Sequence, residues 1–215
     1  MKKILLSVLV LISISSVRAQ YVAIPDSNFG IWLYSNGFSS CLTGNGTTGY
    51  RLDTTCISVL TDTSINCGNS NIHDLTGIQY FSSLKHLYCY SDSLTSLPSL
   101  PTGLVDLGCS GNQLTNLPSL PPGLSTFICG YNQLTSLPNL PAGLSALWCM
   151  NNSLTSLPSL PVGLTKLGCE YNQLPSLPTL PVELTVLDCN ANQLTSLPTL
   201  PSGLTELVCD SNQEL

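Results

Sequence analysis

Charged residues are scarce in this chain, and basic residues are the scarcest. Only 8% of the 215 residues are charged, six of them basic and twelve acidic. Three of the basic residues lie in the N-terminal segment described below. Without that segment Arg51, Lys85 and Lys166 remain, and the net charge is −9. A nucleic acid or an anionic membrane surface needs a basic patch, so we expect neither as a partner.

Residues suited to catalysis or metal binding are also few. The chain has two histidines, His73 and His86, and it contains no C-x-x-C pair and no phosphate-binding loop. No Ser-His-Asp order and no paired carboxylates in a pocket are visible. We therefore predict no enzymatic activity, no metal and no cofactor. The spacing places His86 just before a predicted strand, so we do not expect it to activate Cys89.

Long apolar runs are missing after the predicted leader. Lys2 and Lys3 precede an apolar run over 4–14, and Val17 and Ala19 give the small-residue pattern of a cleavage site before Gln20. The run is too short for a membrane span, which takes about 20 residues. Residues 1–19 are predicted to be a Sec-type signal peptide, so the mature chain is exported.

Cysteine, by contrast, returns at every twentieth position. The regular members are Cys89, Cys109, Cys129, Cys149, Cys169, Cys189 and Cys209, and Cys67 begins the series slightly more than one period upstream. A fixed period of this length means that one structural unit is stacked many times. Counted from Leu104 as position 1, apolar residues fall at positions 1, 4, 6, 11, 14 and 17, with cysteine at position 6.

Each half of the unit predicts a different backbone. The alternation over positions 4–8 indicates a short strand with positions 4 and 6 facing inward. The second half reads Leu-Pro-x-Leu-Pro, as in 97–101, and its two prolines exclude a helix and favour extended, polyproline-like chain. We expect about eight such rungs over residues 61–212.

The order L-x-x-L-x-C-x-x-N-x-L resembles the leucine-rich repeat signature, in its short 20-residue bacterial class. The resemblance covers residues 82 to 212. It implies a solenoid of mainly β and irregular structure, with parallel strands on a concave face and a proline-rich convex side. In such repeats the position-9 asparagine bonds backbone groups inside the coil. Ser70 and Asp92 occupy this position in the first two rungs instead of asparagine. The ladder of hydrogen bonds made by the asparagines is therefore expected to be weaker at the N-terminal end, or to be completed by water.

Residues 20–60 lack the period and are predicted to cap the solenoid. Asp26 is a candidate N-cap for a helix that places Phe29, Trp32 and Leu33 on one face, and Gly37 is its expected stop. Residues 44–49 are glycine-rich and predict a flexible loop. The segment 24–29, together with 72–78, resembles exported leucine-rich repeat proteins of Bacteroidota. That resemblance implies a secreted or cell-surface protein of a Gram-negative bacterium, with the periplasm as an alternative.

The ten cysteines divide into two groups. Cys41 and Cys56 lie outside the repeat frame, and a disulfide between them would close a loop of about 14 residues. The alternative is two unpaired thiols. The eight in-frame cysteines are interpreted as small buried apolar residues, because parallel neighbours hold their Cβ atoms farther apart than the ~3.8 Å of a relaxed disulfide.

Function is expected on the concave face, at the outward positions 5, 7 and 8. The candidate ligand-binding residues are Tyr88, Tyr90, Ile128, Tyr131, Trp148, Met150, Glu170, Tyr171 and Asp188. Exposed aromatic residues beside glycines are typical of protein interfaces, so we predict a non-enzymatic scaffold for a protein ligand. A carbohydrate ligand and a spacer role within a larger surface adhesin are the alternatives.

The C-terminal end of the sequence breaks the repeat. Glu214 stands where the frame calls for a leucine, and Leu204 and Leu207 are expected to lie open. We interpret residues 213–215 as a truncated or uncapped end. The chain is then a fragment of a longer protein, or its end associates with another molecule.

Overall fold

A computed structural model describes residues 20–212. The predicted signal peptide, residues 1–19, and the final residues 213–215 lie outside the described residues. The described chain forms an N-terminal cap followed by a stack of parallel strands.

The cap contains a three-stranded antiparallel sheet that the sequence did not predict. Strands β1 (Tyr21–Ile24) and β2 (Leu42–Asn45) both pair with β3 (Gly49–Asp53). Residues 44–49 are therefore not one loop, since only 46–48 form the turn of a β2–β3 hairpin. The Asn45 side chain holds that turn by accepting from the Thr47 and Thr48 N–H groups at 2.9 and 3.0 Å.

Helix α1 (Ser27–Leu33) begins where the sequence predicts, but it ends before the predicted stop at Gly37. The Asp26 carboxylate caps it by accepting the Phe29 N–H at 2.9 Å, and Phe29 and Leu33 are buried. The chain then makes a π-helical turn (Tyr34–Phe38) in which Gly37 has φ of 98°. A 3₁₀ turn (Ser39–Cys41) leads into β2, and helix α2 (Ile57–Thr61) follows β3.

Asp26 also joins the cap to the first rung. While Oδ1 caps α1, Oδ2 accepts the backbone N–H groups of His73 at 2.6 Å and Asp74 at 3.1 Å. The His73 ring lies near the same oxygen, with Nδ1 at 3.7 Å. One carboxylate thus holds three backbone donors from two segments that are distant in sequence.

The repeats form one eight-stranded parallel sheet, as a leucine-rich repeat solenoid requires. Neighbouring strands pair in register, so each rung places equivalent residues side by side. The strands are β4 (Ser64–Asn66), β5 (His86–Tyr88), β6 (Asp106–Gly108), β7 (Thr126–Ile128), β8 (Ala146–Trp148), β9 (Lys166–Gly168), β10 (Val186–Asp188) and β11 (Glu206–Val208).

Each strand spans positions 3 to 5, so it begins one residue earlier and ends three residues earlier than predicted. The position-2 carbonyl accepts from both the position-2 and the position-3 N–H of the next rung. Lys85 O, for example, accepts from Val105 at 2.8 Å and Asp106 at 3.0 Å. The strand therefore starts at position 3 and adds an outward residue in every rung.

The core is a column of leucines enclosed by the coil. Leucines at positions 1, 4 and 11, such as Leu144, Leu147 and Leu154, are fully buried. The Leu-Pro-x-Leu-Pro segments contain no helix or strand, and a turn returns each to the sheet, as when Leu124 N–H donates to Pro121 O at 3.2 Å. At the last strand the burial decreases, and Leu207 is 39% exposed.

None of the helices within residues 20–212 has the length and apolar character needed to cross a membrane.

Candidate functional site: the concave face

The concave face rests on an internal asparagine column. In each regular rung the side-chain carbonyl accepts an N–H from the preceding rung, and the amide nitrogen donates to backbone carbonyls. Asn112, for instance, accepts Leu94 N–H at 3.0 Å and donates to the carbonyls of Cys89 and Cys109 at 2.8 and 3.0 Å. These bonds fix the backbone at the end of each strand.

Asp92 occupies this column without supplying a donor. Its Oδ1 accepts the N–H groups of Ser70 at 2.8 Å and Ile72 at 3.1 Å. Its Oδ2 is shielded from water and has no hydrogen-bond partner among residues 20–212. Burial raises the pKa of this carboxyl even though the backbone donors lower it. The column therefore lacks an amide donor at this rung, as the departure of Asp92 from asparagine in the sequence indicates.

The cysteine column is buried and its thiols are free. Seven of the eight in-frame cysteines are buried, and Cys209 is half-buried. Burial raises the pKa of Cys67, Cys109 and Cys189 to about 12. The structure does contain a disulfide between Cys41 and Cys56, whose Cα atoms lie 5.5 Å apart.

Thiol titration should separate these two groups of cysteines. We expect denatured, unreduced protein to react with a thiol reagent at eight groups per chain, and reduced protein to react at ten. In the folded protein the buried thiols should react slowly, because only the thiolate is nucleophilic. Fewer than eight groups in the unreduced sample would show that rungs are cross-linked.

The structure places all nine predicted ligand residues along the C-terminal ends of the strands. Tyr131 and Tyr171 are exposed, and the other seven are half-buried. The stretch from β5 to β10 brings them together on one face, since the strands are in register. Their role in binding is a prediction.

Three large side chains on this face each cover a glycine of a neighbouring rung. A methyl group on Gly108 would overlap the Tyr90 ring, and one on Gly168 would overlap the Trp148 indole. Met150 covers Gly130 in the same way, with Sδ 2.5 Å from the position of an added Cβ. The face is therefore a preformed apolar floor, where the sequence had suggested freely exposed aromatic side chains.

Position 8 has left-handed backbone in every described rung. Its φ angles lie between 50° and 72°, although only Gly111 is a glycine. Tyr131 and Tyr171 adopt this conformation with side chains 60% and 56% exposed. Bulky residues adopt it rarely and at a cost in stability, and nothing in the core requires tyrosine at these two exposed places.

A polar cluster on β5 and β6 was missed by sequence reasoning. His86 is the first residue of β5 and does not precede the strand, and its Nδ1 lies 2.7 Å from Asp106 Oδ2. The Tyr88 hydroxyl donates to the same oxygen at 3.5 Å, and the Tyr88 and Tyr90 rings stack at 5.7 Å. His86 and Asp106 both occupy position 3, one full repeat apart. This spacing was the sequence signal that could have predicted their contact.

Burial raises the pKa of Tyr88, and the Asp106 carboxylate adds to the effect. Burial likewise raises the pKa of Tyr90 to about 12, with a smaller contribution from Tyr88. Both phenols therefore stay neutral at physiological pH and present O–H donors on the face.

Acidic residues dominate the C-terminal end of the face. Glu170 and Asp188 lie on adjacent rungs, and Glu206 and Asp210 follow on the last. Asp188 Oδ1 accepts from the Asn190 side chain at 2.6 Å. Within residues 20–212 no group of three or more His, Cys, Asp or Glu side chains is arranged to hold a metal ion.

Grooves are present away from the concave face as well. One of about 270 Å³ runs between proline-rich segments and is lined by Leu160, Val162, Leu180 and Val182. It is shallow and apolar and carries no charged group. The aromatic and acidic residues lie on the concave face, which we therefore take as the candidate site.

Several solved structures share this fold. YopM from Yersinia enterocolitica WA-314 matches with a TM-score of 0.69 and 36% identity over 70% of this chain, which spans 33% of YopM. A Shigella effector leucine-rich repeat domain matches with a TM-score of 0.65 and 28% identity, over 71% of each chain. The functional domain of InlJ from Listeria monocytogenes, which includes a cysteine ladder, matches with a TM-score of 0.64 and 29% identity. That match covers 91% of this chain and 48% of InlJ.

No protein-family model and no curated protein sequence matches this chain. The three neighbours named above are bacterial leucine-rich repeat proteins, and the chain itself folds as a leucine-rich repeat solenoid. These neighbours support the assignment of a protein-interaction scaffold.

Proposed function

We propose that this protein is an exported, non-enzymatic scaffold that binds a protein partner through the aromatic and polar residues of its concave face. The observation that carries the proposal is the apolar floor of Tyr90, Met150 and Trp148. Each of these side chains covers a glycine in a neighbouring rung. A partner would meet these rings already ordered and would lose little conformational entropy on binding them.

The two exposed tyrosines add to this argument. Tyr131 and Tyr171 are two rungs apart, roughly 10 Å along the stack at about 4.8 Å per rung. Their left-handed backbone would be relaxed by glycine, which Gly111 supplies in the same column. Tyrosine at such places is better explained by contact with a ligand than by folding.

Export is supported by the Cys41–Cys56 disulfide. Disulfides persist in oxidising compartments, and this one lies in the cap that follows the predicted signal peptide. The in-frame thiols are compatible with such a compartment, since burial protects them from oxidants. We infer a secreted or cell-surface location.

Binding can be tested with a displayed library of random dodecapeptides panned against residues 20–215. We expect the protein to enrich specific sequences, and the variant Trp148→Ala with Tyr131→Ala to lose at least 100-fold in affinity for them. Truncation of two central aromatic anchors commonly costs ~2 kcal/mol or more each. Fluorescence anisotropy of a labelled peptide gives the affinity.

Tyr34→Ala is the matched control for this experiment. Tyr34 is 58% exposed, much like Tyr131, but it lies in the cap. It should leave peptide affinity unchanged, and circular dichroism should show that all variants fold. A folded double variant that binds as tightly as the parent would contradict the assignment of the face.

A carbohydrate ligand is the second candidate, and one observation favours it. The stacked Tyr88 and Tyr90 rings lie beside the His86–Asp106 pair, which combines an aromatic surface with hydrogen-bonding groups. Glycan-array binding that Tyr90→Ala removes, without any enriched peptide, would replace the protein-ligand proposal with this one.

A further inference from the structure

Trp148, Glu170 and Asp188 form an acidic–aromatic cluster around Gly168 on the concave face. The glycine pairs in register with Trp148 on β8 and with Asp188 on β10, so it separates an indole from a carboxylate. The indole lies over the glycine, and Glu170 Oε2 lies 3.2 Å from where a Cβ on Gly168 would be. The indole therefore covers Gly168, and the two carboxylates lie close to the same residue.

Glu170 is the unusual member of this group. Its Oε2 is shielded from water and has no hydrogen-bond partner in the described part of the chain. Burial raises the pKa of the carboxyl, a hydrogen bond from its own backbone opposes the rise, and the Asp188 charge adds to it. An unpaired carboxylate in such a place is unfavourable until a cation or a donor reaches it.

No basic side chain among the described residues neutralises Glu170. Lys166 lies on the same strand, on the other side of Gly168, where it is exposed and forms no ion pair. The charged groups around this cluster are thus Lys166 from β9, Glu170 after it, and Asp188 from β10. Glu206 on β11 adds a further negative charge, so negative charge is in excess.

We propose that this acidic–aromatic cluster receives a lysine or arginine side chain of the protein partner. The proposal rests on the proposed function and adds the chemistry of one contact. A cation over the outer face of Trp148 is attracted to the ring, and a small rotation of the Glu170 side chain brings Oε2 within its reach. Asp188 keeps its two bonds from Asn190 on Oδ1, and its other oxygen accepts from the cation.

The peptide selection described above also tests this contact. We expect enriched peptides to share a lysine or an arginine. For one such peptide containing arginine, exchange of that residue for citrulline keeps the shape and removes the charge. Affinity for the parent protein should fall at least tenfold, since hydrogen bonds between charged groups that leave water are worth about twice neutral ones.

A double-mutant cycle identifies Glu170 as the acceptor. Glu170→Gln should weaken the arginine peptide at least tenfold, and citrulline should then cause little further loss. Glu183→Gln is the matched control, because Glu183 is exposed in a turn outside the sheet and should change nothing. Melting temperatures of both variants verify folding.

The possible outcomes separate the two proposals. Peptides that bind the face with no excess of basic residues would overturn the cation contact and leave protein binding intact. The same holds if the exchange of arginine for citrulline weakens binding to Glu170→Gln as much as it weakens binding to the parent protein. The cation contact would also be overturned if the enriched peptides had an excess of acidic residues and this excess disappeared when Lys166→Gln was used in the selection. Failure to enrich any peptide would overturn both proposals.

Discussion

Replacing Asn172 by aspartate should lower the free energy of unfolding by about 3 kcal/mol at neutral pH. The Asn172 amide nitrogen donates to the carbonyls of Cys149 and Cys169, both at 3.1 Å, and of Glu170 at 3.3 Å. Aspartate has the same shape but no hydrogen to donate. A carboxylate oxygen would then face three carbonyl oxygens at a site only 8% exposed. Urea denaturation followed by circular dichroism measures the loss.

The reverse exchange at Asp92 is the control that the chain itself offers. Asp92→Asn should supply the missing donor and raise the free energy of unfolding by about 1–2 kcal/mol. Asn172 and Asp92 occupy the same column, and asparagine and aspartate have the same shape. The two exchanges should therefore change the free energy of unfolding in opposite directions for the same reason, the loss or gain of an amide donor. If Asp92→Asn is neutral or destabilising at pH 7, the column does not depend on amide donors as we describe.

Acid pH should reduce the benefit of Asp92→Asn. Burial raises the folded-state pKa of Asp92 above its ordinary value of 3.8, so the folded chain keeps this proton to a higher pH than the unfolded chain does. The destabilising effect of the carboxylate is therefore absent below about 3.8 and grows as the pH rises through the raised pKa. The stability difference between parent and variant should shrink accordingly between neutral pH and pH 3.5.

The repeat made the solenoid predictable because its inward positions are set by period alone. Leu107, Cys109 and Leu114 are fully buried, as the frame requires, and the prolines exclude helix where no helix forms. The same frame located the outward positions 5, 7 and 8. A parallel stack repeats each contact, so one correct unit predicts all of them.

The cap was harder because it has no period. The N-cap at Asp26 is a local signal and could be read from the sequence, whereas the β1–β3–β2 sheet depends on pairing between β1 and a strand that lies beyond helix α1 and two further turns. The short segment around Gly46 gave only a loop signal. Its turn depends on hydrogen bonds that the Asn45 side chain accepts from the backbone of the following residues. Composition alone does not reveal these bonds.

The geometry of the candidate site required neighbouring rungs to be considered together. The pattern along one strand predicted exposed rings at Tyr90 and Trp148. In the structure each ring packs over a glycine of the next rung, Gly108 under Tyr90 and Gly168 under Trp148. Glycine at an outward position, one rung after an aromatic residue, was the missed signal. The Glu170 oxygen likewise becomes unusual only when burial by the neighbouring rung is known.

Replacing Asp26 by asparagine should lower the free energy of unfolding by about 2 kcal/mol, although asparagine is an equally good N-cap. The carboxylate uses Oδ1 for Phe29 N–H and Oδ2 for the N–H groups of His73 and Asp74. Asparagine has one acceptor oxygen, and in either orientation its amide hydrogens point at a backbone donor. The variant therefore loses either the helix cap or the junction to the first rung.

Trp32 allows this loss to be measured where it occurs. In a Trp148→Phe background the fluorescence of Trp32 reports on the cap, and its urea midpoint should fall in Asp26→Asn. Asp62→Asn is the matched control, because Asp62 accepts a single N–H from Ser64 at 2.9 Å and asparagine can do the same. If Asp26→Asn changed stability no more than Asp62→Asn, then a single acceptor at position 26 would suffice. The second oxygen would then have no part in joining cap to solenoid.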